Sequence, residues 1–149
     1  FHPFVPVFVK YTEINTYSGG TVLIAPTDST DGVGLRLSGN GSLGSGDLEL
    51  QAYTRLYVEH AGPVFGEEAT LRVSSDASVF LTDGFHDTIS SLWIDGVEQT
   101  AFGTYGSGSS GADYVSSIFS GDGMLTLVPE PATALLLGMA AALGLMRRR

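Results

Sequence analysis

Apolar residues recur along most of the chain as short apolar-x-apolar triplets: Leu35-Arg36-Leu37, Leu48-Glu49-Leu50, Leu56-Tyr57-Val58, Leu71-Arg72-Val73, Val79-Phe80-Leu81, Leu92-Trp93-Ile94 and Leu125-Thr126-Leu127. A period of two puts the first and third residue of each triplet on one face, the pattern of half-buried strands. Turns rich in glycine, serine and aspartate separate the triplets. Asp95-Gly96, between "LWI" and "VEQ", is a favoured two-residue hairpin turn. No stretch of the body keeps a 3.6-residue period for three turns, so an all-β body is predicted.

The triplets also keep a register of +23. At that offset Leu48 and Leu50 recur as Leu71 and Val73, and Leu56 and Val58 recur as Val79 and Leu81. Two successive copies of a two-strand unit fit a β-solenoid, in which each coil buries its apolar face only by stacking on the next. A β-sandwich with accidental spacing is the alternative. Two polar stretches interrupt the pattern: "STDGVG" at 29–34 reads as a turn, and 103–111, seven of whose nine residues are Gly or Ser, as a flexible loop or linker.

The pattern changes at the C-terminus. Ala132 to Met146 holds 15 residues without a charge, and Arg147, Arg148 and Arg149 follow. As a helix this run rises about 22 Å, against about 30 Å of bilayer hydrocarbon, which normally takes about 20 residues. It lacks the polar stripe of a core helix. A terminal arginine cluster fits a cytoplasmic end, which places the body outside the cytoplasm. A transmembrane helix at about 132–146 that inserts transiently is therefore expected. Pro129 and Pro131 flank Glu130, disfavour helix there and hold the chain extended, the form a processing protease requires.

Charge narrows the partners. Residues 1–131 hold four basic residues against all 16 acids, a net −12. Nucleic acid and anionic lipid need clustered Lys or Arg, so nucleic-acid binding is excluded. The chain contains no cysteine, which removes disulfides, thiolate metal sites and cysteine nucleophiles. It begins at Phe1 and carries no basic-then-apolar leader, and is read as the C-terminal part of a longer precursor.

Candidate chemistry is sparse. Gly39, Gly41 and Gly44 in "GNGSLG" satisfy G-x-G-x-x-G, but a dinucleotide site needs a helix next and "DLEL" reads as a strand, so a turn is expected. "DGFHD" gathers Asp83, His86 and Asp87, with Asp76 nearby. A solvated loop is the expected reading, and its oxygen donors would suit calcium better than zinc. His2 and His60 stand alone. No G-x-S-x-G elbow anchors a hydrolase triad. No catalytic residue, metal site or cofactor is assigned.

Val128-Pro129-Glu130-Pro131, the apolar run and the arginine cluster together closely resemble the PEP-CTERM sorting signal of exported Gram-negative bacterial proteins. The resemblance implies recognition of Pro129, Glu130 and Pro131 by exosortase, a membrane protease, with removal of the tail and delivery to the cell surface or matrix. "NTYSGGTVLIA" (Asn15 to Ala25) with "LSGNGSLGSGDLEL" after it resembles the autotransporter-associated β-strand repeat. Ser91 to Val128, with its hairpin, G-T-Y-G loop and F-x-G-x-G-x-L strand, resembles the module that closes such arrays. This second resemblance implies a right-handed parallel β-helix, of which this chain is the last coils.

The expectation is a β-solenoid over 1–128 and a sorting signal over 129–149. Its role would be that of a structural or adhesive surface protein, with exosortase and transiently the inner membrane as partners, and extracellular polysaccharide as a candidate ligand. A polysaccharide lyase or glycosidase on a β-helix, and a permanently tail-anchored protein, are the alternatives.

Overall fold

The computed structural model describes residues 7–26, 32–129 and 131–147. Each of the seven triplets lies in a strand, and the strands wind into a parallel β-solenoid of about four turns, followed by one C-terminal helix. The sandwich alternative fails because strands that follow one another in sequence alternate between sheets, while strands one coil apart pair in parallel.

The first sheet stacks β1 (Val7–Tyr11), β3 (Val33–Leu37), β5 (Thr54–Val58) and β7 (Ser78–Leu81). The second stacks β2 (Thr21–Leu23), β4 (Leu48–Leu50), β6 (Thr70–Val73) and β9 (Ser91–Ile94). The +23 register is a physical pairing: Leu48 lies beside Leu71, Leu50 beside Val73, Leu56 beside Val79 and Val58 beside Leu81. All eight side chains are buried. Like side chains thus stack along the solenoid, and no single coil has a core of its own.

Between the two sheets each coil crosses a third face. Among the described residues only the fourth coil forms a strand there, β8 (His86–Ile89). Earlier coils hold this corner with other bonds. The Leu43 N–H donates to the Val64 carbonyl at 2.9 Å. Asn15 donates from its backbone to Ser42 Oγ at 2.9 Å and from its side chain to the Ser42 carbonyl at 2.7 Å. The corner is also where the G-x-G-x-x-G glycines sit. A side chain at Gly41 or Gly44 would collide with the carbonyl of Tyr11 or Tyr17 in the coil before, and Gly44 has φ +67. The motif is a close-packed turn leading into β4, as its sequence context predicts.

The last coil is closed rather than extended. Asp95 (φ 51) and Gly96 (φ 76) form the expected tight turn, which folds β10 (Val97–Glu98) back antiparallel on β9. After it, β11 (Gly103–Gly106), β12 (Tyr114–Val115), β13 (Phe119–Ser120) and β14 (Met124–Leu127) complete the closing module. Strand β13 pairs in parallel with β7, β14 in parallel with β8, and β11 antiparallel to β14. The flexible loop expected at 103–111 is corrected here. Its first four residues are β11, and its serines are bonded, Ser107 Oγ donating to the Gly121 carbonyl and Ser110 Oγ to the Ser107 carbonyl. Composition alone misreads it, because a bond within the turn and another to Gly121, outside it, hold the Gly/Ser stretch. The turn expected at 29–34 falls partly outside the described residues; Val33 and Gly34 open β3.

Candidate functional site

The tail leaves the body without a spacer. In β14, Leu125 and Leu127 are core residues. The next residue, Val128, still donates its N–H to the Ile89 carbonyl at 3.1 Å. Pro129 has no N–H to continue the ladder, so pairing stops there. Pro129 lines a groove of ≈ 340 Å³ together with Ser90, Glu98, Phe102 and Leu127. Helix α1 (Pro131–Met146) then begins with proline at its first position, where the fixed φ is pre-set and the missing N–H costs nothing. Glu130, Arg148 and Arg149 lie outside the described residues.

Helix α1 occupies the run where a transmembrane helix was expected, with a correction to its reach. Its 16 residues rise about 24 Å. Among the described residues no helix is long and apolar enough to cross a membrane. Its apolar side chains from Leu135 to Met146 are exposed on all sides, so the helix has no stripe to bury against the body.

The closing module holds the exit in place. Asp113 and Thr104 clasp each other: Asp113 Oδ2 accepts from the Thr104 N–H at 3.0 Å and the Thr104 hydroxyl at 2.8 Å, and the Asp113 N–H donates back to Thr104 Oγ1 at 2.9 Å. The Thr104 N–H, and then its hydroxyl, hold the Asp113 carboxyl below its ordinary 3.8. Tyr105 stacks on Tyr114 with ring centroids 4.9 Å apart and donates its hydroxyl to the Ala101 carbonyl at 2.8 Å. Burial, and then Tyr114, push the Tyr105 phenol above its ordinary 10.0.

Residues 127–149 match the family model of the PEP-CTERM protein-sorting motif. The tail is a sorting motif. It implies an exported protein, sorted to the cell surface and processed by exosortase. No curated protein and no solved structure matches the chain. The comparisons do not name the autotransporter-associated repeat, while the β-solenoid that this resemblance implied is the fold observed. Set beside the PEP-CTERM motif, Pro129 lies between the last ladder bond, at Val128, and the start of the helix at Pro131.

The other candidate residues do not converge. Asp87 Oδ2 accepts the N–H groups of Val64 and Phe65 at 2.7 and 2.8 Å, tying the fourth coil to the third. His86 faces Thr126 of β14. Asp76 and Asp83 are exposed in separate turns. His60 bonds through Nε2 to the Gly41 carbonyl at 2.7 Å and accepts the Gly62 N–H at Nδ1, which fixes a corner. His2 lies outside the described residues. Among the described residues no three His, Cys, Asp or Glu groups gather to hold a metal ion. Sequence reasoning missed the coil-tying role of Asp87, because its partners Val64 and Phe65 belong to the coil before. The Asp113–Thr104 clasp was missed because it spans a stretch dominated by Gly and Ser.

Proposed function

We propose that this chain is the terminal part of a surface-displayed structural or adhesive solenoid, non-catalytic, whose tail exosortase reads and then cuts away. The observation that carries this is the abrupt junction. A folded core strand ends at Leu127, the Pro-Glu-Pro motif follows, and an apolar helix starts at the second proline of that motif, Pro131. The body is hydrogen-bonded up to Val128, so a cut after it releases an intact solenoid, and a cut further back would remove core residues. Asp76, Asp83 and Asp87 serve turns and corner bonds rather than one groove, while Glu49 and Asp95 line one groove with Arg72 and Trp93. The open first coil supports the reading of these turns as the end of a longer stack: Val9 is exposed where later coils bury its equivalents Leu35, Leu56 and Val79.

The test is the intact mass of the protein from its native cells. A mature chain ending between Val128 and Pro131 is the expected result. A mature chain ending at Arg149 overturns removal of the tail, and extraction of that form by sodium carbonate then separates a permanent anchor from a loosely held helix.

A further inference from the structure

We infer that the groove on the outer face of the second sheet is a binding site for a neutral oligosaccharide. The inference deepens the adhesive reading of the body and rests on it, and it does not depend on the fate of the tail.

The outward positions of this sheet stack in register, as its core positions do. Glu49 of β4 lies beside Arg72 of β6, and Arg72 beside Trp93 of β9. On either side of each, Leu48 and Leu50, Leu71 and Val73, and Leu92 and Ile94 pack into the core, so these three residues point outward. The turns that follow the strands add Gln51, Ser74 and Asp95, and the six line an open groove of ≈ 330 Å³. Neighbouring strands lie about 4.8 Å apart, so the row from Glu49 to Trp93 runs about 10 Å along the solenoid.

What the groove presents selects the ligand. Trp93 is only partly buried, and its one polar group is taken, Nε1 donating to Ser91 Oγ at 3.0 Å. It therefore offers the groove flat apolar surface, which suits the C–H face of a sugar ring. The Arg72 guanidinium sits 4.6 Å from the centroid of that indole. Among the described residues it has no ion pair and no hydrogen bond, so its N–H donors are positioned and unspent. Glu49 accepts one bond, from Gln51 Nε2 at 3.0 Å, and Asp95 accepts a long one, from the Ser75 N–H at 3.4 Å. Both carboxylates keep acceptor capacity. A cationic ligand would meet Arg72 in the middle coil, and an anionic ligand would meet Glu49 and Asp95 in the coils on either side. Hydroxyl groups donate and accept, so a neutral polyhydroxyl ligand uses both signs of charge at once.

Trp93 is the only tryptophan of the chain, so its emission reports this groove alone. The full chain, in a detergent without a sugar headgroup, is titrated with neutral trisaccharides of glucose, mannose, galactose and xylose. Trigalacturonate and trilysine are the charged counterparts. The expected result is a saturable shift of Trp93 emission with at least one neutral trisaccharide and with neither charged probe. Arg72→Ala and Glu49→Gln should each weaken that binding about tenfold, the loss of one charge-assisted hydrogen bond. Asp83→Asn, in an exposed turn outside the groove, should leave it unchanged. Glu49→Gln carries the test alone if Arg72→Ala disturbs the indole. No response to any neutral trisaccharide, tighter binding of trigalacturonate or trilysine, or binding untouched by Glu49→Gln overturns the inference and leaves tail removal, read from the intact mass, as it stands. Sugar binding by a mature chain that ends at Arg149 keeps this inference and overturns tail removal. Cleavage of the bound trisaccharide keeps the site and overturns the non-catalytic role.

Discussion

Val9 in the first coil is 48% exposed, whereas the residues stacked on it in register, Leu35, Leu56 and Val79, are 3%, 0% and 0% exposed. At the other end the stack does not open in this way. Phe119 pairs with Val79, Val97 turns back on Ile94, and β14 covers β8. The two ends differ in how their edges are met. The first coil leaves parallel edges that another coil can continue, while the last coil is covered in parallel by β13 and β14 on two faces and on the third by the antiparallel β10. A parallel stack has no intrinsic length, so its end has to be built. Here it is built next to the sorting motif.

The strongest test of this contrast removes one side chain from each region. Leu56→Ala empties a site packed on both sides and should cost about 2–5 kcal/mol. Val9→Ala removes less, from a site already half in water, and should cost about 1 kcal/mol or less. Urea unfolding of the two variants compares them directly. Equal costs would mean that the first coil is covered in solution and the two ends are alike.

The contrast also explains what could be read in advance. Each apolar triplet became a strand, and the +23 register became a pairing, because alternation and stacking are both written in side chains that repeat. The PEP-CTERM motif was legible for a similar reason: proline, an uncharged run and arginines act locally. The closing module was harder. Strand β13 returns to β7 past every strand from β8 to β12, with Phe119 beside Val79, and no period announces such a return. The 103–111 stretch looked like a linker because its order comes from partners elsewhere, Asp113 and Gly121 among them.

Asp87 gives the next effect in size. Replacing it with alanine leaves the N–H groups of two buried residues, Val64 and Phe65, without their acceptor, at about 1–3 kcal/mol. The loss should appear as faster hydrogen exchange at both amides, with the first coil unaffected. A change spread evenly over all coils would show that Asp87 does not act as a local tie. Gly96→Ala should cost less, about 1 kcal/mol, because alanine is strained at φ 76 while nothing crowds the site. A thermal melt suffices, and an unchanged midpoint would show that the tight turn contributes little to closing the stack.

The smallest effect is also the one that separates the two ends by pH. Asp113 is fully exposed, and its carboxyl is held below its ordinary 3.8 by the Thr104 N–H and hydroxyl. A folded-state pKa below the unfolded value means that the clasp's contribution is complete above about pH 4 and is lost as pH falls through the folded value. Acidification should therefore loosen the Thr104–Asp113 clasp of the closing module, read as faster exchange of the Thr104 and Asp113 amides relative to their neighbours. Tyr105 works in the opposite sense: its raised pKa keeps the neutral phenol's contribution below pH 10 and loses it only above. Between those limits the closed end should hold a constant stability. Asp113→Asn removes the charge and should abolish the acid response while leaving most of the fold intact. If the Thr104 amide keeps its protection relative to neighbouring amides throughout acidification of the unmodified chain, the carboxylate is not what holds this turn, and the strand pairing of β11 with β14 holds it instead.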